Sequence, residues 1–248
     1  MRCCSPRVAF LVLALLLPAL PAAASTCEAP PELLDAALPL PATERALAEG
    51  ALRVLVVGSA SVFGPGSSTP GHAWPARLEA SLRESRPDLR LEVKVLGGRG
   101  LTAADMLMMI EAAMDPAPQL VVWQVGTVEA ARGIEPDWLA DRLASGLGWL
   151  KDRGIDTVLM DQQFSRFLRA NADITAYQDT IRIAAAGQGA AVFPRYELMR
   201  FWADTDRIDL ERAPRAQRSA LVDQLGECLG QTVSAFVLRG AAEAAKLR

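Results

Sequence analysis

Histidine and asparagine are almost missing from this chain: His72 is the only histidine and Asn171 the only asparagine in 248 residues. Lysine is absent from Met1 to Glu92, and of the four cysteines two, Cys3 and Cys4, lie at the extreme amino terminus. These shortages exclude several chemistries. A His/Cys zinc cage cannot be assembled from one imidazole and so few thiols. A phosphate-binding Gly-x-x-x-x-Gly-Lys-Ser/Thr loop has no lysine to draw on near the early glycines, and a Gly-x-Gly-x-x-Gly fingerprint begun at Gly64 fails at Thr69. No cofactor is therefore expected.

The amino terminus carries Arg2 and Arg7, then an apolar run, Val8 to Leu17, too short to span a bilayer, then Ala22-Ala23-Ala24. Residues 1–24 read as a secretory signal peptide cut after about Ala24, which implies a periplasmic or secreted protein. Cys27 follows Ala24-Ser25-Thr26 rather than a lipoprotein-type Leu pattern, so no lipid anchor is expected. Loss of Arg2 and Arg7 would take the 26 basic residues to 24 against 29 acidic ones, a net charge of −5. That balance offers nothing to nucleic acid or to an anionic membrane, and no membrane span is expected.

Cleavage would leave Cys27 and Cys228 as the only cysteines in a compartment that permits disulfides. They could form one internal bridge, remain buried free thiols, or pair between molecules. The composition, 51% hydrophobic, suits one domain of roughly 200 residues. Residues 25–51 read as a Pro-rich arm, extended over Glu28 to Pro41 apart from one helical turn at Glu32 to Ala37, and residues 52–248 as the domain.

Within the domain, strand and helix patterns alternate. Strands are expected at Arg53–Val57, Leu91–Leu96, Gln119–Val125, Asp156–Met160 and Ala190–Phe193. Helices are expected at Ala73–Ser85, from Thr102 to Met114, at Pro136–Arg153, Ala172–Gly187 and Tyr196–Ala203, and within Pro214–Lys246. Thr102 with Asp105 forms a capping-box pattern, Met106, Met109 and Ile110 make a core-filling face, and Asn171 is expected to cap the helix that follows it. Strands separated by helices, with no hairpin signals, argue a three-layer α/β/α sandwich around a mostly parallel five-stranded sheet. In such folds ligands bind beyond the carboxyl ends of the strands. The stretch Leu52 to Gly66, an apolar strand running into Gly58-Ser59-Ala60-Ser61, puts small residues at that edge.

The strand and turn at Val54 to Ala60, the turn Gly97-Gly98-Arg99-Gly100, and Val121 to Glu129 ending in Gly-Thr-Val-Glu together resemble the SGNH, or GDSL-type, hydrolases, over essentially the whole of residues 52–248. The resemblance implies a flavodoxin-like sandwich and an esterase ancestry. It also implies a Ser nucleophile in a first Gly-Asp-Ser block, a Gly N–H and an Asn as oxyanion donors, and a late Asp-x-x-His base. Here Ser59 stands at the Asp position and Ala60 at the nucleophile position. Gly100 is kept, but Val128 replaces the Asn and Glu129 the following Asp. The late region, Asp209 to Glu227, has no His. A weak hydroxyl nucleophile needs a base, and the oxyanion needs placed donors. The chain therefore reads as an exported protein of this fold without its serine-esterase machinery, binding an acylated or carbohydrate envelope molecule or acting as an accessory to it. The alternatives are an active carboxylic-ester hydrolase using Ser59 or Ser61, and a protein-interaction partner of an active envelope enzyme.

Ser59 and Ser61 flank Ala60, and His72 sits in a loop that could fold back over them as a base; the competing readings are turn hydrogen bonds for the serines and a surface role for the histidine. Glu129 and Asp161, at strand ends, are expected at the same mouth, where they could bind sugar hydroxyls or act as acid and base, or else be hydrated or paired with Arg132. Ser59, Gly100, Gln124 and Gln163 complete the expected binding set. Trp123 could add an aromatic there or face the core.

Overall fold

Five runs of apolar residues become the five strands of one sheet: β1 (Ala51–Gly58), β2 (Arg90–Gly97), β3 (Leu120–Gln124), β4 (Asp156–Met160) and β5 (Ala191–Phe193). The computed structural model describes residues 1, 27–35 and 38–247. The expected signal segment beyond Met1, and Ala36 and Ala37 of the expected helical turn, lie outside the described residues. The strand order is β2-β1-β3-β4-β5 and every pairing is parallel. β3 is buried along its whole length, as a central parallel strand covered on both faces must be.

Successive side chains of a strand point to opposite faces, and the core divides accordingly. Val54 and Val56 of β1 join one cluster, Leu55 and Val57 the other. The helices are α1 (Pro31–Leu34), α2 (Pro41–Ala48), α3 (Trp74–Ser85), α4 (Ala103–Ala112), α5 (Thr127–Arg132), α6 (Pro136–Asp152), α7 (Arg166–Asn171), α8 (Ile174–Gln188), α9 (Arg195–Asp204) and α10 (Arg218–Ala245). The first cluster is closed by α2, α3 and α10 through Leu47, Leu78, Leu82, Val233 and Val237. The second is closed by α4, α6 and α8 through Met106, Ile110, Leu143, Leu147 and Ile181. Trp123 is fully buried in it, packed over Gly146 rather than exposed at the strand edge.

Local chemistry explains the helix starts. Thr102 and Asp105 form the expected capping box on α4. At α8 the cap is Asp173, whose carboxylate accepts the Ala176 N–H. Asn171 instead closes α7, its amide donating to the Phe167 carbonyl, so the cap assigned to it from sequence belongs two residues later. The Pro-rich segment also differs from expectation. Pro41 opens α2, because a proline at the first helical position gives up an N–H that would have no partner there. Ala42, Ala46 and Leu47 are buried, and the Thr43 N–H donates to Asp156 Oδ2 at 2.7 Å, fixing α2 under the amino end of β4.

Cys27 and Cys228 are disulfide-bonded, joining the start of the described arm to the middle of α10 across 201 residues of sequence. Three glycines let α10 lie close to its neighbours. A Cβ at Gly226 would stand 2.0 Å from the His72 carbonyl, one at Gly230 2.6 Å from the Arg77 carbonyl carbon, and one at Gly240 2.8 Å from Leu40. Gly230→Ala is therefore expected to destabilise the protein despite alanine's helix propensity. Overpacking against the α3 backbone costs about 1–3 kcal/mol, against a propensity gain of at most about 1 kcal/mol. Urea denaturation showing a net stabilisation would contradict this close contact.

Candidate functional site

The reversal of strand order between β1 and β3 opens a crevice at their carboxyl ends. Three strand exits converge there: Ser59-Ala60-Ser61 after β1, Val125-Gly126-Thr127 after β3, and Arg195, two residues after β5. They line a cavity of about 180 Å³ together with Pro65, Met106, Gln124 and Gln163. A second, mostly apolar chamber of about 110 Å³ adjoins it, walled by residues including Trp74, Met199, Leu225 and Leu229. Ser61, Pro65, Gln163 and Arg195 border both.

The centre of this edge is Arg195, a side chain that no motif in the sequence marks. Arg195 is 3% exposed. Its Nε donates to the Asp161 carbonyl at 3.0 Å, its Nη1 to Ser61 Oγ at 3.3 Å and its Nη2 to Thr127 Oγ1 at 3.1 Å. Burial pushes its pKa down to about 10, so it remains a cation at neutral pH. Among the described residues no carboxylate forms an ion pair with it. Its sequence signal was its position. An arginine that opens a helix directly after a sheet strand sits where the helix dipole disfavours a cation, so the fold places it there for another reason.

Ser61 has both its proton and its oxygen engaged in this arrangement. Its hydroxyl donates to Gln124 Oε1 at 3.0 Å and its oxygen accepts the Arg195 N–H. A nucleophilic serine needs a base on that proton, and here an amide oxygen holds it. Gln124 reaches over β1 because Gly58 has no side chain; a Cβ there would lie 2.3 Å from Oε1. Ser59 lines the cavity, and its hydroxyl has no hydrogen-bond partner among the described residues. His72 Nδ1 lies 2.9 Å from Ser68 Oγ, 3.1 Å from Thr69 Oγ1 and 3.5 Å from Asp223 Oδ2. Hydrogen bonding from Ser68 holds the Asp223 carboxyl below its usual range. His72 also borders the apolar chamber, but among the described residues no hydrogen bond joins it to Ser59 or Ser61. Among the described residues no hydrogen bond joins any two of the three candidate catalytic residues.

Three residues expected at the mouth are placed elsewhere. Glu129 is fully buried, its Oε1 accepting the Ala103 N–H at 2.6 Å and its Oε2 the Gly126 N–H at 3.1 Å. It ties the starts of α4 and α5 together, and burial pushes its carboxyl above the usual range. Asp161, 2% exposed, accepts the Tyr196 N–H at 2.9 Å and is pushed up to about 7 by burial. Gly100, in the left-handed conformation at φ 75°, lies under Arg132, whose guanidinium would stand 2.7 Å from an added Cβ. None of the three lines the cavity. Nor does Val128, half-buried in α5, whereas its neighbour Thr127 does. Gln124 and Gln163 stand where expected, with the Gln163 N–H donating to Thr127 Oγ1 at 3.1 Å. Among the described residues no group of three His, Cys, Asp or Glu side chains could hold a metal ion.

The family model described as the Non-GDSL lipase-like family matches residues 26–243. The chain belongs to this family. Its fold is that of SGNH-type hydrolases. It is similar to TesA at 21% identity and a TM-score of 0.57, covering 74% of this chain and 99% of that one. A protein of the G-D-S-L family from Desulfitobacterium hafniense shares 16% identity at a TM-score of 0.56, over 75% of this chain and 99% of that one. An acetylxylan esterase from Geobacillus stearothermophilus shares 15% identity at a TM-score of 0.57, over 77% and 94%. Among curated proteins none matches this chain. No helix of the described residues is long and apolar enough to cross a membrane.

Proposed function

We propose that this family member is an exported, non-catalytic ligand-binding or accessory protein that uses the ancestral substrate crevice to hold an acylated or carbohydrate envelope molecule. The observation that carries this reading is the state of Ser61: its proton goes to Gln124 and a buried arginine bonds its oxygen, one residue from an Ala60 that has no hydroxyl. Residues of a serine-hydrolase centre act as a unit, and disabling the nucleophile or the base alone costs about 10⁶ in turnover. The crevice meanwhile stays open. The disulfide supports an oxidising compartment, and the acetylxylan esterase among the structural neighbours supports an acylated carbohydrate as the ligand class.

The runner-up is a carboxylic-ester hydrolase in which Ser59, whose hydroxyl is uncommitted, attacks with an unusual base. A fluorophosphonate probe and short-chain nitrophenyl esters separate the two. The expected result is no labelled serine and no hydrolysis above buffer. Labelling with turnover, both lost in Ser59→Ala or Ser61→Ala, would establish the enzyme instead. The third reading, a partner of an active envelope enzyme, is favoured if no small molecule shifts the thermal unfolding of the protein.

A further inference from the structure

Arg195 lies where the polar cavity and the apolar chamber meet. A guanidinium carries five N–H donors. Three are engaged, one at Nε and one at each terminal nitrogen, which leaves one on Nη1 and one on Nη2. Two donors on the paired terminal nitrogens match the two oxygens of a carboxylate. Thr127 adds to them. Its Oγ1 already accepts N–H groups from Arg195 and Gln163, so its own hydrogen is left to donate. The cavity thus offers donors and one buried positive charge. A neutral ligand would leave that charge uncompensated, and a dianion would bury a negative charge in its place. On the other side of Arg195 the walls turn apolar, with Trp74, Met199, Leu210, Val222, Leu225 and Leu229.

We infer that the two cavities form one site for a short-chain aliphatic carboxylic acid, its carboxylate on Arg195 and Thr127 and its chain in the chamber beside Trp74 and Leu225. This rests on the ligand-binding reading of the crevice above and differs from it in the ligand, placing a free acid where that reading places an acylated or carbohydrate molecule.

Calorimetric titration of the protein with sodium acetate, butyrate, hexanoate and octanoate at fixed ionic strength tests it, with hexanamide, inorganic phosphate and an acetylated xylo-oligosaccharide as comparison ligands. Saturable binding is expected, tightening roughly fourfold for each methylene that enters the chamber until it is full. Hexanamide, which lacks the charge, should bind at least about tenfold more weakly than hexanoate. Arg195→Lys should weaken hexanoate by about tenfold, because an ammonium cannot take both oxygens. Should that buried replacement fail to fold, Val222→Phe, at a half-buried position on the chamber wall, gives a separate reading: it should abolish the gain from chain length while leaving acetate affinity unchanged. Chain-length-independent binding, equal binding of hexanamide, or binding of phosphate in place of the acids overturns the inference. If the neutral oligosaccharide binds and no acid does, the inference fails while the proposed function stands. If nothing binds, both fail.

Discussion

Cys27→Ala is expected to lower the unfolding free energy by about 3–5 kcal/mol under oxidising conditions, and to change nothing further when reductant is added. The bridge closes a segment 201 residues in sequence, which is nearly the whole described chain. Its main effect is on the unfolded ensemble, where so long a closure removes a large share of chain entropy. The native side of the balance is the arm. Its Glu28 carbonyl accepts N–H groups from the Trp202 indole at 2.9 Å and from Arg207 at 3.1 Å, and Leu33 and Leu34 pack against the core only in part. Glu28 also pairs through its carboxylate with Arg207 at 3.0 Å, so around Cys27 the arm is held by partly exposed contacts that the bridge supplements. Cys27 is the better residue to replace, because it is half-buried while Cys228 is fully buried in α10, where a free thiol is tolerated as a small hydrophobe. The measurement is guanidinium denaturation of the variant beside the oxidised and reduced wild type. An unfolding free energy within about 0.5 kcal/mol of the oxidised protein's would show that the bridge is ornamental.

The sheet could be read from the sequence because its signals are local and redundant. β1, β3 and β4 are apolar runs bounded by polar turns, and the Thr102/Asp105 cap needs only two residues three apart. Ala60, at the position where the resemblance places a nucleophile, is equally plain, since it lies just beyond the strand that positions it. The residues that fill the crevice were not. Arg195 is 134 residues from Ser61, and nothing local marks the pair that they form. Glu129 and Asp161 misled for a common reason. A carboxylate at a strand end usually faces solvent, and only the three-dimensional placement of Ala103, Gly126 and Tyr196 shows that backbone N–H groups claim each of them internally. Pro41 misled in the opposite sense, since proline punctuates chains both by ending helices and by starting them. His72 was judged by its loop, and the loop delivers it to Ser68 and Asp223.

Replacing Asp161 should remove its own share of the pH dependence that the wild type carries between about pH 4 and 7. The carboxyl titrates near 3.8 when unfolded and is pushed up to about 7 in the folded protein, with burial as the chief cause. The folded state therefore holds a proton that the unfolded state has released across that window. In respect of this group, stability is greatest below pH 3.8, falls as pH rises towards 7, and stays low above it. A difference of about 3 pH units corresponds to about 4 kcal/mol. The neighbours that oppose burial are the Tyr196 N–H, Arg195 and Arg182, while Glu197 acts with it. Asp161→Asn keeps an oxygen for the Tyr196 N–H and cannot ionise. Its unfolding free energy relative to wild type should therefore rise by up to about 4 kcal/mol between pH 4 and pH 8. The buried carboxyls of Glu129 and Asp156 are present in both proteins and cancel in that difference. A difference that is flat across the range would show that Asp161 stays ionised in the folded state. The same proton bears on the crevice. Arg195 takes its Nε bond from the backbone of Asp161 rather than from its carboxylate, so protonation leaves the arginine in place while removing the nearby negative charge. A ligand carboxylate, still ionised at pH 6, should therefore bind more tightly there than at pH 8 in the wild type, and that preference should shrink in Asp161→Asn, where only groups such as His72 on the chamber wall are left to contribute.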